Sequence, residues 1–273
     1  MINFKVDHEK CTRCSLCISD CPVMIIEKDE NRFPFIKPEK EKRCIKCQHC
    51  LAICPDAAIS ILGKIPEDSV STSDMPSAKQ VETLIRTRRT VRQFKKEDIE
   101  PELLDNILKV TANCPSGENK RDLLFTVIDK RKDMEMFISA AYDLIEARIQ
   151  NKTLPEEFGI YGLFLKRFKA GHDIIFRNAP HLMLVSSPKE NATPTADSYI
   201  AMSYFELYAA TNGIGTVWLG FLAHMFEFMP EIKKLLNLPE DHETPYAMLF
   251  GKPKIKYPRG VQRNDYKIKR LSF

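Results

Sequence analysis

No segment of this sequence reads as a membrane anchor or an export leader. The one run that invites a membrane reading is LYAATNGIGTVWLGFLAHMF, residues 207–226, which lacks Asp, Glu, Lys and Arg. Asn212, three glycines and His224 interrupt it, and such residues break helical continuity and are costly in lipid. A buried helix end, a turn and a strand fit the run better. MINFKVDHEK is charged from Lys5 onward and has no apolar h-region, so no secretory leader is expected and the compartment is expected to be cytoplasmic. Strong charge of one sign is also missing. The formal net charge is +4, and the basic residues are scattered outside a group at 86–92, so nothing calls for nucleic acid as a partner. Neither G-x-G-x-x-G nor a Walker A lysine motif occurs, so neither a Rossmann dinucleotide site nor a P-loop is supported.

What the chain does have is cysteine concentrated in one place. Eight of its nine cysteines fall in CTRCSLCISDCP (11–22) and CIKCQHCLAICP (44–55). A shift of 33 residues lays Cys11, Cys14, Cys17 and Cys21 on Cys44, Cys47, Cys50 and Cys54, and Pro22 on Pro55. Each half is therefore one copy of a duplicated unit. In a cytoplasmic protein, clustered cysteines mean metal or redox work, not disulfides. Zinc favours paired C-x₂-C knuckles, and four-cysteine runs exceed a tetrahedral site's needs. The C-x₂-C-x₂-C-x₃-C-P spacing suits an iron–sulfur cube: three thiolates on one tight loop cover three iron corners while the fourth projects away. Eight thiolates around two 4Fe–4S cores would bring the formal charge near zero.

Residues 1–63 resemble a two-cluster ferredoxin of the bacterial type. The resemblance implies that the fourth cysteine of each run ligates the other cluster, so that one cluster takes Cys11, Cys14, Cys17 and Cys54 and the second takes Cys44, Cys47, Cys50 and Cys21. Ile25, Ile26, Phe35, Ile36, Ile59 and Ile61 are expected to pack around the cubes, with a hairpin from MIIE through KDEN to FPFI. Ser15 and Gln48 stand where such proteins often carry glycine. His49, inside the second ligand loop, reads as a solvent-facing residue, with a hydrogen bond to that cluster as the alternative.

At 44% hydrophobic and 29% charged the chain has an ordinary soluble composition, and 273 residues suit a small domain plus a larger one. Residues 64–80 are polar, hold two prolines and lack an apolar period, and read as a linker. The remainder, 81–273, reads as an α+β domain. Helices are expected over 99–114, 132–149 and 195–213, and strands at 123–129, 181–187, 215–221 and 247–253.

Three patches there look chemical. RTRRTVRQF (86–94) offers Arg88, Arg89, Thr90 and Arg92 to a phosphate monoester, or is a solvated basic helix end. CPSGENK (114–120) turns tightly at Pro115 and Gly117, freeing backbone N–H groups and presenting Ser116 and Asn119. In GIGTVWLG (213–220) glycines would let a flat ligand approach the backbone.

Their order, with Asp173…Ala179-Pro180 between the second and the third and Gly-Lys-Pro with trailing arginines after the last, resembles the nitroreductase family over about 81–265. The resemblance implies an FMN-binding α+β domain behind the two-cluster ferredoxin domain, working as a homodimer with the flavin at the interface. It implies that Arg88, Arg89, Thr90 and Arg92 hold the phosphate and ribityl chain. Pro115, Ser116, Gly117 and Asn119 would cover the flavin from the partner. Trp218, Leu219 and Gly220 would lie along the ring, and Arg259 and Arg263 would add C-terminal phosphate contacts. Lys120, Arg121 and Asp122 depart from the family's Gln-Pro-Trp. Cys114 suits a small buried position, with a redox-sensitive thiol as the alternative.

The function implied is an FMN oxidoreductase that passes electrons between two 4Fe–4S clusters and FMN to reduce a nitroaromatic, quinone or enone, with no protein acid or base named. Reduced ferredoxin or NAD(P)H would be the external donor. The alternatives are reductive dehalogenation, flavin fragmentation, or a non-catalytic electron carrier.

Overall fold

The structure is a computed structural model that describes residues 2–263 and 265–273. The chain divides into two compact units, one ending at Pro76 and including Glu118–Lys120, the other spanning Ser77–Gly117 and Arg121–Phe273.

The first unit is built on the duplication. Strand β1 (Lys5–Val6) is followed by helix α1 (Leu16–Ser19), strands β2 (Ile26–Lys28) and β3 (Pro34–Ile36), helix α2 (His49–Ala52) and strand β4 (Ile59–Ser60). β1 pairs antiparallel with β4 and β2 with β3, the second pair being the expected hairpin. The repeat is visible in the backbone itself. Arg13 and Lys46, Ser15 and Gln48, and Met24 and Ala57, each pair 33 residues apart, all take positive φ between 51° and 70°. Ser15 and Gln48 are the residues that stand where glycine is common. Their left-handed backbone gives the reason, because a side chain there costs about 1–2 kcal/mol. Ile25, Ile26, Ile36, Ile59 and Ile61 pack with Cys17, Cys50 and Leu51 as expected. Phe35 does not join them: it pairs with Glu27 in the hairpin, on the face opposite Ile26 and Ile36. The buried aromatic is instead Phe33, stacked on His8 at 3.9 Å with the Arg13 guanidinium 4.3 Å above its ring.

The second unit opens with helix α3 (Ala78–Thr87), started by a capping box between Ser77 and Gln80. Helix α4 (Pro101–Thr111) has Pro101 at its first position and buries Leu104, Ile107 and Thr111 at helical spacing. Strand β5 (Leu124–Ile128), helix α5 (Arg131–Gln150), helix α6 (Ile160–Lys169), strand β6 (His181–Pro188) and helix α7 (Pro194–Thr211) follow. The chain continues through strand β7 (Gly215–Trp218), helices α8 (Gly220–Phe228) and α9 (Glu231–Leu235), and strands β8 (His242–Glu243) and β9 (Ala247–Gly251). The main sheet runs β5-β6-β9-β7 with β8 beside β6, and every pairing is antiparallel.

Alternation along β6 and β9 divides the core in two. Leu182, Leu184, Ala247 and Leu249 face residues of α5, α6, α8 and α9. Met183, Val185, Met248 and Phe250 face α4 and α7. Both faces are covered, which is why these strands read as unbroken apolar runs and not as alternating ones. The structure shortens one expected strand: GTVWLGF stays extended only to Trp218, and the helix α8 begins at Gly220, burying Leu222, Met225 and Phe226 at helical spacing. No helix among the described residues is long and apolar enough to cross a membrane.

Candidate functional site

In the first unit the eight cysteines line two cavities. One, of about 360 Å³, is bounded by Cys11, Cys14, Cys17 and Cys54. The other, of about 350 Å³, is bounded by Cys21, Cys44, Cys47 and Cys50. Three thiols of each set come from one loop and the fourth from the other copy, because each C-P step carries its cysteine away from its own loop. Burial raises the Cys17 thiol to about 11, with repulsion from Cys14, Cys54 and Cys11 added. The Cys50 thiol is likewise pushed up to about 12, chiefly by burial, with Cys47, Cys44 and Cys17 acting in the same direction. Four such thiolates can be held together only by a cation at their centre. Among the described residues no three His, Cys, Asp or Glu side chains converge on a single ion position. The thiols ring a space, which is what a multi-iron cube needs and a lone zinc does not.

Backbone N–H groups donate to two of these sulfurs, Lys46 N to Cys44 Sγ at 3.4 Å and Ala58 N to Cys54 Sγ at 3.3 Å. His49 lines the second cavity with its ring exposed, and its Nδ1 lies 3.2 Å from an Asp20 carboxylate oxygen.

In the second unit the basic segment is divided between two cavities. Arg88 and Arg89 line one of about 1120 Å³ together with Gly213, Thr216, Lys254 and Lys256. Arg92 lines the other, of about 680 Å³, together with Trp218, Leu219, Gly220, Arg177 and His224. Thr90 is held by the sheet: it bridges Thr216, and Val91 N donates to the Thr216 carbonyl at 2.9 Å. Arg89 turns its guanidinium onto the carbonyls of Arg86 and Thr87. Arg88 donates to Glu206 at 3.0 Å, and Glu206 also accepts from Thr216 Oγ1 at 3.1 Å.

Glu206 is one of two buried acids on α7, and the second, Asp197, does parallel work. It accepts from Gly117 N at 3.0 Å and from Thr193 Oγ1 at 2.9 Å. So α7 ties down both the basic segment and the Pro115–Gly117 turn. The signal that could have revealed these acids was carboxylates inside an otherwise apolar helix. Ser116 Oγ accepts from Arg121 N at 3.0 Å. Asn119, grouped with the first unit, donates from Nδ2 to the Ile45 carbonyl at 2.8 Å. Arg259 and Arg263 are exposed, in a C-terminal segment without regular structure.

The glycines of GIGTVWLG have a different reason from ligand access. A Cβ on Gly215 would lie 2.5 Å from a Val91 methyl, and one on Gly220 would lie 2.5 Å from the Tyr246 hydroxyl. Gly213, at φ 71°, closes α7 in the left-handed conformation, with open space around its Cβ direction. The chain itself therefore fills the room at Gly215 and Gly220. Tyr246 and Tyr199 form an aromatic group with Trp218, at centroid distances of 5.7 and 6.0 Å, and burial raises the Tyr246 hydroxyl pKa above its ordinary value. Cys114 is buried in the α4–α7 core, where desolvation raises its pKa.

Comparison with known proteins agrees with both units. Residues 85–252 match the model of the nitroreductase family, and residues 10–59 match that of a 4Fe-4S dicluster domain. An iodotyrosine deiodinase from Thermotoga neapolitana is 28% identical over 191 residues, covering 66% of this chain and 94% of that protein. A nitroreductase with bound FMN from Desulfitobacterium hafniense superposes with a TM-score of 0.55 at 22% identity, over 72% of this chain and all of that one. Another with bound FMN, from Bacteroides fragilis, gives 0.52 at 22% over 71% and all of its length. At such identities the structural likeness is one of fold, and the family match spans more than half of the sequence. The chain therefore belongs to the nitroreductase family, as an oxidoreductase of that family preceded by a 4Fe–4S dicluster domain.

Proposed function

We propose that this chain is an FMN-dependent oxidoreductase that passes electrons between two 4Fe–4S clusters and FMN and reduces an electrophilic small molecule of nitroaromatic, quinone or enone type. The observation that carries the reading is the pair of four-thiol cavities, each completed by a cysteine from the other repeat, in a chain whose second unit belongs to a flavin-linked fold. Cys11, Cys14, Cys17 and Cys54 would hold one cluster and Cys44, Cys47, Cys50 and Cys21 the other. FMN, when bound, supplies storage for two electrons and their delivery as hydride.

The protein's part is positioning and charge. Arg89, with Lys254 and Lys256 in the same cavity, offers cations to a phosphate. Arg88, already bonded once to Glu206, keeps further N–H groups for the same task, and Thr90 fixes the segment against β7. Arg92 faces the aromatic-walled cavity beside Trp218, Leu219 and Gly220. Gly220 opens α8, where first-turn N–H groups have no intrahelical acceptor and can meet electron-rich ring atoms. Pro115, Ser116, Gly117 and Asn119 would contribute from a second copy in a homodimer, with Arg259 and Arg263 adding phosphate contacts.

The test is anaerobic purification with iron, sulfide and flavin assays, followed by reduction with NADH and with reduced ferredoxin in parallel. About eight irons and one FMN per chain are expected; a sample lacking both iron and FMN refutes the reading. A second reading, reductive dehalogenation, is favoured by the likeness to an iodotyrosine deiodinase. There an aryl halide would take two electrons and one proton and release halide, so halide appearing in step with flavin reoxidation selects it.

A further inference from the structure

We propose that the edge of the first unit at Cys14 is the docking surface for an acidic one-electron carrier protein, anchored by Arg13 and Arg32. The inference rests on the oxidoreductase reading and deepens it by naming the kind of partner that supplies the electrons. Cys14 is the one exposed thiol of the eight; the others are half-buried or buried. Leu16, two residues on, is apolar and 41% exposed. Arg13 and Arg32 stand on the wall of the same cavity, and both are exposed. Asp56 is the acid on that wall, and it accepts from Thr12 Oγ1 at 2.7 Å. Among the described residues neither arginine makes an ion pair, whereas Lys10, Lys37 and Lys40 of the same unit each hold a glutamate.

Both guanidinium groups are held in place. Arg13 lies 4.3 Å above the ring of Phe33, which is itself stacked on His8. Arg32 belongs to a fixed turn: its N–H donates to the Asp29 carbonyl at 2.9 Å, and Phe33 N donates to the Asp29 carboxylate at 2.7 Å. Both arginines take left-handed backbone, with φ of 60° and 68°, a state that glycine adopts more easily. Long cations kept at such positions have a use at the surface.

The second repeat shows what is particular to the first. At the equivalent places it has Cys47, half-buried, and His49 in place of Leu16. Lys46 replaces Arg13 without reaching the cavity wall, which among the described residues carries no Lys, Arg, Asp or Glu.

Two unpaired guanidinium forks beside an exposed apolar residue fit carboxylates that ring a partner's redox centre. Such encounters are small and transient, and charge sets their rate and orientation. At each one the carrier is oxidised by one electron and this chain is reduced by one, with no bond made or broken. Two encounters supply a two-electron reduction.

The test is isothermal titration, without oxygen, of the iron- and flavin-loaded protein with two oxidised carriers of opposite charge, an acidic plant-type ferredoxin and the basic cytochrome c. The ferredoxin should bind and cytochrome c should not, and raising the salt from about 20 to about 200 mM should weaken the ferredoxin about tenfold. Arg13→Gln combined with Arg32→Gln should weaken it by about tenfold at the lower salt. Arg13→Lys should keep part of the affinity, and Lys46→Gln, at the equivalent place in the second loop, should leave it unaltered. Iron and FMN per chain should be unchanged throughout. Failure of the wild type to bind the ferredoxin, equal binding of cytochrome c, indifference to salt, or an affinity that survives the double variant overturns the proposal. So does loss of iron in the arginine variants, which would assign those residues to holding the cluster. A wild-type protein isolated without iron and FMN refutes the oxidoreductase reading instead, whatever the carriers do.

Discussion

Gly215 shows how closely one backbone position can be constrained without any ligand. Its missing Cβ makes room for Val91, and the contact lets the basic segment bond to β7 through Val91 N and the Thr216 carbonyl. Gly215→Ala should therefore destabilise the protein by about 1–3 kcal/mol, the usual cost of overpacking. In urea unfolding the double variant Gly215→Ala with Val91→Ala should lose less than the sum of the single losses; strict additivity would show that the two do not compete for space. Ser15 and Gln48 are the converse case, side chains held where glycine would be easier. Relief of left-handed strain, less the added entropy of the unfolded chain, should leave Ser15→Gly and Gln48→Gly more stable by up to about 1 kcal/mol. The check is a higher midpoint for thermal loss of cluster absorbance. This conformation was partly legible in the sequence, since both residues stand out against glycine in the compared pattern. The packing at Gly215 was not, because Val91 lies far from it along the chain.

At the scale of elements, the two loop–helix copies and α7 carry the argument. If the fourth cysteine crosses to the other copy, Cys54→Ser should remove the cluster of Cys11, Cys14 and Cys17 and spare its neighbour, while Cys21→Ser should do the reverse. Each variant should lose about four irons per chain, and paramagnetic resonance of the reduced protein identifies the survivor; loss of the Cys44–Cys50 cluster in Cys54→Ser would contradict the exchange. Helix α7 uses its acids as struts. Arg88→Ala would leave Glu206 charged and nearly buried, with its side chain 11% exposed. A cost of about 3 kcal/mol is expected, at the low end for a broken buried pair because Arg88 is itself 23% exposed. Arg88→Met with Glu206→Leu should recover most of it in equilibrium unfolding. Local periodicity was enough to foresee α4, α5, α7 and the β2–β3 hairpin. It was not enough for α8, whose first residues continue the apolar run of β7, or for Arg177 and His224, whose meeting depends on two distant elements reaching one cavity.

For the whole molecule, the two units depend on different cohesive forces. The first has a small core to which Cys17 and Cys50 themselves belong, so its stability should be inseparable from iron. The second has two large hydrophobic clusters on the faces of its sheet. Anaerobic chelation should strip hydrogen-exchange protection from residues 2–63 while β6, β9 and α7 keep theirs; equal loss in both would show that the larger unit also leans on the metal. The composition forecast the difference, since iron-binding motifs crowd into a short stretch and long apolar runs lie beyond it. Trp218 adds something practical. It is the chain's one tryptophan and stands on the wall of the cavity beside Arg92 and Arg177. Excitation at the red edge of protein absorption therefore addresses a single indole, and the ultraviolet emission of the entire protein becomes a native optical gauge of whatever enters that one recess.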